Sequence, residues 1–281
     1  MNLAEPFAST WHAHLSLGFE KRETATILAR REHVGPLRVQ KPLYPEGEAV
    51  CHAIVLHPPS GIVGGDELEI DVRVGPGAHA LLTTPGASKW YRSAGAWARQ
   101  RLSLTVDAGG VLEWLPQESI VFDAARAAMS SSIDLHAEAR FIGMEVLCLG
   151  RRASGEAFAN GAVHLGTRVQ RAGQPIWLER GQMEGGSGLL NSPAGLAGFS
   201  ISGTLLVVAP HIKSGLLAAC REIPLQEAGA RSGLTQLPDM LVARYLGHSS
   251  EAARHWFAAL WQQLRPALIG RAAQTPRIWN T

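Results

Sequence analysis

Along the first two thirds of this chain, apolar residues recur at every second position. Trp11, Ala13, Leu15, Leu17 and Phe19 alternate with His12, His14, Ser16 and Gly18, which predicts a half-buried strand. Residues 23–29 read as the second half of a hairpin. CHAIVLH (51–57) predicts a buried strand that ends at Pro58 and Pro59. ELEIDVRV (67–74) predicts another, closed by GPG at 75–77, and AHALLTT (78–84) runs into PGASK. Further strands are predicted at RLSLTV, VLEWLP, SIVF, FIGMEVLCLG, AVHLGTRVQR and PIWLER. This spacing points to an all-β body, built as a sandwich, a barrel or a coil of stacked sheets. No fixed-length internal repeat is visible, which disfavours a regular solenoid with a sequence code.

The last third changes period. ISGTLLVVA (201–209) reads as a strand, Ser214 as a cap for a helix over GLLAACRE, and SGLTQL and MLVARYLG as two short strands. After Ser250, Trp256, Leu260 and Leu264 recur every four residues with Phe257 and Trp261 beside them. This predicts an amphipathic helix capped by that Ser, ending near Pro266 and Gly270. The unit reads as βαββα over 201–270. The fold class is therefore mainly β with a small α+β C-terminal part. A β-rich body (1–200) carries a C-terminal α+β subdomain (201–281), or the two form one continuous domain. The Gly- and Ser-rich stretch 181–200 is the candidate linker or mobile segment.

Composition narrows the class. With 281 residues and 46% hydrophobic content, the chain can bury a large core. Its net charge is +2 with basic residues scattered, so there is no footprint of a nucleic-acid binder. No apolar run reaches the length of a membrane helix, and the N-terminus does not read as a signal peptide. Cys51, Cys148 and Cys220 are sparse and odd in number. They give neither a disulfide framework nor a zinc site and fit a reducing, cytoplasmic setting.

The candidate chemistry lies mainly in acids. GIVGGD (61–66) opens a strand and ends in Asp66, whereas a phosphate loop opens a helix and lacks such a charge. Gly61, Gly64 and Gly65 read as a structural bend, with positive φ needed at Gly64 or Gly65. Glu67, Glu69 and Asp71 share a solvated face. Asp66 has the opposite parity and points toward the apolar side, where a carboxylate is costly without a partner. Glu113, Glu145 and Glu179 also lie in apolar company. Each reads either as an ion pair with an Arg such as Arg151, Arg152 or Arg180, or as part of a hydrated interior of oxygen ligands suited to divalent cations. His12 and His14 share a strand face and are the better imidazole pair for a metal by spacing. His52 and His57 flank 51–57. No GxSxG elbow or SxxK motif occurs, and Cys51 and Cys148 sit in apolar strands where thiols are usually inert.

Six ordered segments carry a resemblance. They are HVGPLRVQKPLYPEG (33–47), CHAIVLHPPSGIVGGDELEI (51–70), TTPGASKWYRS (83–93), LEWLPQESIVF (112–122), LCLGRRASGEAF (147–158) and PRIWNT (276–281). Together they resemble the urease accessory protein D family, densely over 33–180 and more thinly over 181–250. The resemblance implies a compact coil of stacked β-sheets and a non-enzymatic maturation factor for the nickel enzyme urease. It implies as partners the urease apoprotein and accessory proteins F and G, with E indirectly, and neither nucleic acid nor membrane. It implies no tightly bound cofactor, but nickel in transit through a hydrated interior path lined by Asp66, Glu145 and Glu179, with Ser88 near the route. Two rivals remain. One is a β-fold hydrolase using buried carboxylates. The other is a purely structural adaptor without metal transit. The aromatics of the C-terminal helix are expected to pack on its sheet, and the PRIWNT tail either on the body or on a partner.

Overall fold

The structure is a computed structural model in which residues 10–210, 212 and 214–280 are described. The chain winds as a coil of stacked β-sheets. β1 (His12–Arg22) and β2 (Ala25–Val34) form the predicted hairpin, and β3 (Arg38–Val39) leads into the coil. Its first turn is β4 (Cys51–Leu56), β5 (Gly61–Ile62) and β6 (Glu67–Val74). The second is β7 (His79–Thr83), β8 (Ser88–Trp90) and β9 (Ala98–Val106). The third is β10 (Val111–Trp114), β11 (Ser119–Val121) and β12 (Arg126–Leu135). β13 (Arg140–Leu149) and β14 (Ala162–Arg171) make the last turn, and β15 (Gln174–Glu184) folds back on β14.

Parallel stacking arises because successive turns present the same inward parity. In the first sheet, ordered β15-β14-β12-β9-β6-β1-β2, strands β1, β6, β9, β12 and β14 run parallel. Ile70 stands beside Leu102 and Val72 beside Leu104, so buried columns of apolar side chains fix the register. The outward face carries Glu67, Glu69 and Asp71. Glu69 meets Arg101 at 2.7 Å and Asp71 meets His14 at 2.7 Å, the solvated face expected from the alternation. A coil therefore forms without a fixed-length repeat, because inward apolar parity sets the register while the connections vary in length.

The second sheet is ordered β17-β18-β16-β13-β10-β7-β4-β3, while β5, β8 and β11 stack into a short wall that joins it through β13. The C-terminal part has the predicted order: β16 (Ile201–Val208), α2 (Ser214–Arg221), β17 (Arg231–Leu237), β18 (Met240–Gly247) and α3 (Ser250–Ile269). It continues the second sheet, since β16 pairs antiparallel with β13. On α3, Trp256, Phe257, Leu260, Trp261 and Leu264 are all buried, each contributing about 1.5–3 kcal/mol of apolar burial. These aromatics pack the helix on its own sheet, as expected. The tail also packs on the body: Trp279 Nε1 donates to Thr83 Oγ1 at 2.7 Å, and its ring lies 6.0 Å from that of Trp261.

Three local readings need correction, and a fourth is not tested. The cap of α3 is Ser249, whose side chain accepts from Ala252 N, and not Ser250. The Ser214 side chain lies outside the described residues. The stretch 181–200 is not an open linker: its first residues continue β15 to Glu184, and α1 (Gly188–Asn191) follows. Strand β12 was not expected, because Ser130, Ser131 and Ser132 dilute its alternation. Its inward Ala127, Met129, Ile133 and Leu135 are nevertheless buried.

Candidate functional site: a cavity with a charged corner

The bend before β6 is built by close approach and one special conformation. Gly65 has φ +100°, which L side chains rarely adopt, and a Cβ on Gly61 would stand 1.9 Å from the Tyr91 ring. Gly64 has no positive φ, but a Cβ there would meet Ser93 Oγ at 2.3 Å. Asp66 points inward and is buried, as its parity requires. Its two oxygens accept from the backbone N–H of Trp11 at 3.0 Å and of Val63 at 2.9 Å. Asp66 thus ties the bend to the start of β1.

Each of the first three coil turns is interrupted at the same level. Residues 57–60 separate β4 from β5, 84–87 separate β7 from β8, and 115–118 separate β10 from β11. All three segments contain proline (Pro58 and Pro59, Pro85, Pro116), which cannot donate to a sheet ladder. β13 runs past this seam, pairing with β10 through Gly143 and with β11 from Leu147. Met144, Glu145 and Val146 therefore lack a ladder partner on that side. Threonine hydroxyls replace part of the ladder: Thr83 Oγ1 donates to Leu115 O at 2.6 Å, and Thr84 Oγ1 accepts from Gln117 N at 2.9 Å. Outside the seam, Arg254 of α3 donates to Gln117 Oε1 at 2.5 Å.

Between the seam and the first sheet lies a cavity of about 250 Å³, room for several waters. One flank is apolar, with Ile70, Leu102, Met129 and Phe141. The other is polar, and strand register explains why. Across the first sheet Ile70, Leu102, Ser131, Thr167 and Glu179 stand side by side on β6, β9, β12, β14 and β15. That row changes from aliphatic to hydroxyl to carboxylate. Across the second sheet Glu145, Thr204 and Arg244 stand side by side on β13, β16 and β18. Arg244 joins the two rows: Nη2 donates to Glu179 Oε1 at 2.7 Å and Nη1 to Thr204 Oγ1 at 2.7 Å.

Glu145, Glu179 and Ser88 all line this cavity. Ser88 Oγ lies 2.9 Å from Ser119 Oγ. Glu145 has no hydrogen-bond partner among the described residues. Burial raises its carboxyl above the ordinary value and the neighbouring Glu179 adds to this, against the pull of Arg244. Asp66 does not line the cavity, whereas His57, whose imidazole feels the Asp66 charge, does. Glu179 pairs with Arg244 and Glu113 with Arg265, while Arg151 pairs with Glu156. Glu179 and Glu113 thus have arginine partners on a distant strand and helix rather than Arg151, Arg152 or Arg180, and Glu145 has none among the described residues. Sequence reasoning missed Arg244, although it is the one cation inside the apolar run MLVARYLG.

A second charged cluster was also missed. Glu113 accepts from Arg265 Nε and Nη2 at 3.0 Å and from Trp261 Nε1 at 2.6 Å, and its Oε1 lies 2.6 Å from His79 Nε2. Arg265 also donates to Glu46 at 2.6 and 2.9 Å, and Glu46 lies 2.7 Å from His52 Nε2. The signal was an Arg one helical turn after Trp261, on the apolar face of α3. The pair His12 and His14 is engaged by Glu67 and Asp71, and the described residues contain no group of three or more His, Cys, Asp or Glu arranged to hold a metal ion. All three cysteines are free and buried, with Cys148 pushed up to about 12 by burial.

The class these features define is a mainly β, solenoid-like coil enclosing a cavity whose polar corner carries two carboxylates. Residues 12–280 match the UreD urease accessory protein family. The chain is 58% identical over 275 residues to the urease accessory protein UreD of Dechloromonas aromatica, covering 97% of this chain and 95% of that one. It is 56% identical to that of an Azoarcus species, covering 96% and 94%, and 51% identical to that of Nitrosococcus oceani, covering 97% and 91%. The chain belongs to the UreD family of urease accessory proteins, which supports a role in urease maturation.

Proposed function

We propose that this protein serves urease maturation as a scaffold and nickel conduit in the cytoplasm, not as an enzyme. It binds the urease apoprotein and accessory protein F, and through F the G protein, with E acting further upstream. Nickel crosses as cargo, and no cofactor stays bound. The observation that carries the conduit reading is the cavity lined by Glu145, Glu179 and Ser88. Carboxylate, hydroxyl and water oxygens form a weak, open donor set, which suits passage rather than storage of a divalent ion. Asp66 then acts by holding the bend and β1 in place beside this route. The hydrolase reading lacks a nucleophile: no serine lining the cavity is hydrogen-bonded to a histidine or carboxylate among the described residues.

The test is co-expression of urease and the other accessory proteins with and without this chain, reading nickel content and activity of purified urease. Both are expected to collapse without it. Glu145→Gln and Glu179→Gln are then expected to leave the assembly intact while lowering nickel content. Full loading by both variants would leave the adaptor role alone standing.

A further inference from the structure

We propose that Arg244 is a counter-ion latch, closing the cavity's charged corner between the two sheets and yielding its place to a divalent cation. The inference rests on the conduit reading above and deepens it. The geometry is specific. β15 ends the first sheet and β18 lies near the end of the second. Arg244 spans from β18 to Glu179 on β15, and also holds Thr204 on β16. Glu179 and Thr204 line the cavity, whereas the Arg244 side chain is 40% exposed to solvent. Arg244 does not itself line the cavity; its guanidinium bridges two lining side chains from a position open to solvent. It also lies over the Trp177 ring, whose centroid is 5.6 Å from the guanidinium carbon.

The charges explain what the latch does. Arg244 occupies one oxygen of Glu179 and offsets its charge. Glu145, one register position beyond Thr204, is left without a hydrogen bond. A cation arriving in the cavity meets a positive charge only a few ångströms away, so its affinity for the two carboxylates is lowered. Swinging Arg244 into solvent needs the loss of two hydrogen bonds and of the contact with Trp177. That motion exposes both carboxylates and opens the edge between the sheets. Arginine suits the role because it stays charged at all working pH values and holds a carboxylate in a fixed geometry.

Nickel(II) titration of the full-length chain by calorimetry tests this, with folding of each variant checked by circular dichroism. Arg244→Ala is expected to bind nickel about tenfold more tightly than wild type. Arg244→Lys, which keeps the charge, should stay near the wild-type affinity. Glu145→Gln combined with Arg244→Ala should return binding to the wild-type level. Unchanged or weaker binding by a folded Arg244→Ala chain would overturn the latch, whatever urease does. Nickel loading of co-expressed urease separates this from the conduit reading. Tighter binding with slower loading supports both, because a tighter site retains its cargo. Tighter binding with unaltered loading keeps the latch and removes the conduit.

Discussion

Two clusters of the same chemistry sit in this molecule, and they are satisfied to different degrees. Around Glu113 and Arg265 nearly every polar atom is engaged, and the two side chains have no exposed surface. Around Glu179 and Arg244 the pair is partly exposed, and Glu145 beside it has no hydrogen bond. Glu113 is pulled down: burial opposes its ionisation, but His79 and Arg265 outweigh burial. Glu145 is pushed up, because burial and Glu179 outweigh Arg244. A saturated buried network locks elements together. A half-satisfied one beside a cavity keeps oxygen atoms available to a guest.

The largest expected effect comes from breaking the saturated cluster. Arg265→Ala leaves Glu113 and Glu46 buried without their shared cation, and should cost about 3–5 kcal/mol, read as a lower denaturant midpoint. The two carboxylates also set an acid limit. Burial pushes Glu46 up, but hydrogen bonds from His52 and Arg265 hold it down at about 2. A depressed folded pKa gives stability that is full above the ordinary carboxylate range and is lost as pH falls through the folded value. Wild type should therefore lose stability between about pH 4.5 and 2, and Glu46→Gln should flatten that fall. Next comes Asp66→Ala, which leaves the N–H groups of Trp11 and Val63 without their acceptor and should cost about 1–3 kcal/mol. Loss of thermal stability in that variant, with no loss in Glu145→Gln, would separate the residue that builds the bend from the residue that lines the cavity.

Glu145→Gln should have a smaller effect of opposite sign. Its folded pKa is raised, so the native state holds the proton more tightly than the unfolded chain. Stability is then greatest below the ordinary carboxylate value and falls as pH rises toward the folded one. The variant removes that loss. It should match wild type at pH 4 and exceed it at pH 8 by on the order of 1 kcal/mol. Denaturation curves at the two pH values check the crossing. A destabilised variant at pH 8 would mean that the ionised carboxylate is held by groups in the corner.

The contrast between the clusters also marks how far the sequence could be read. Strands β1 and β6 were legible because inward apolar and outward polar residues alternate there, β18 because it is a short apolar run, and parity alone sent Asp66 inward. The helix α3 was legible from Trp256, Leu260 and Leu264. Glu145 and Glu179 were suspected from their apolar company and do line one cavity, but their partners were not legible. Arg244 and Arg265 are separated from Glu179 and Glu113 by 65 and 152 residues, and no local pattern reports such pairing. Strand β12 was hidden by three serines, of which Ser131 faces the cavity. The residues that make the interior polar are the ones that erase the strand signal. The seam prolines were visible one by one, but their common level depends on the stacking of turns of unequal length.

The smallest effect should come from the outer ladder, which gives the comparison its baseline. Glu69 and Arg101 meet at 2.7 Å, as close as Glu179 and Arg244, yet their side chains are 47% and 54% exposed. Water and salt screen such a pair, and ordering two long side chains offsets its attraction, so exposed pairs contribute about 0–1 kcal/mol. Glu69→Ala should therefore shift stability by less than about 1 kcal/mol, and less again in high salt. A double-mutant cycle on Glu69 and Arg101, set beside one on Glu113 and Arg265, measures the two coupling energies directly. Equal values would mean that burial contributes nothing to the inner network and that distance alone decides. A large inner value with a small outer one ties the strength of the inner lock to its exclusion from water. By the same reasoning the partly exposed pair of Glu179 and Arg244 should fall between them, tight enough to close a corner and weak enough to open it.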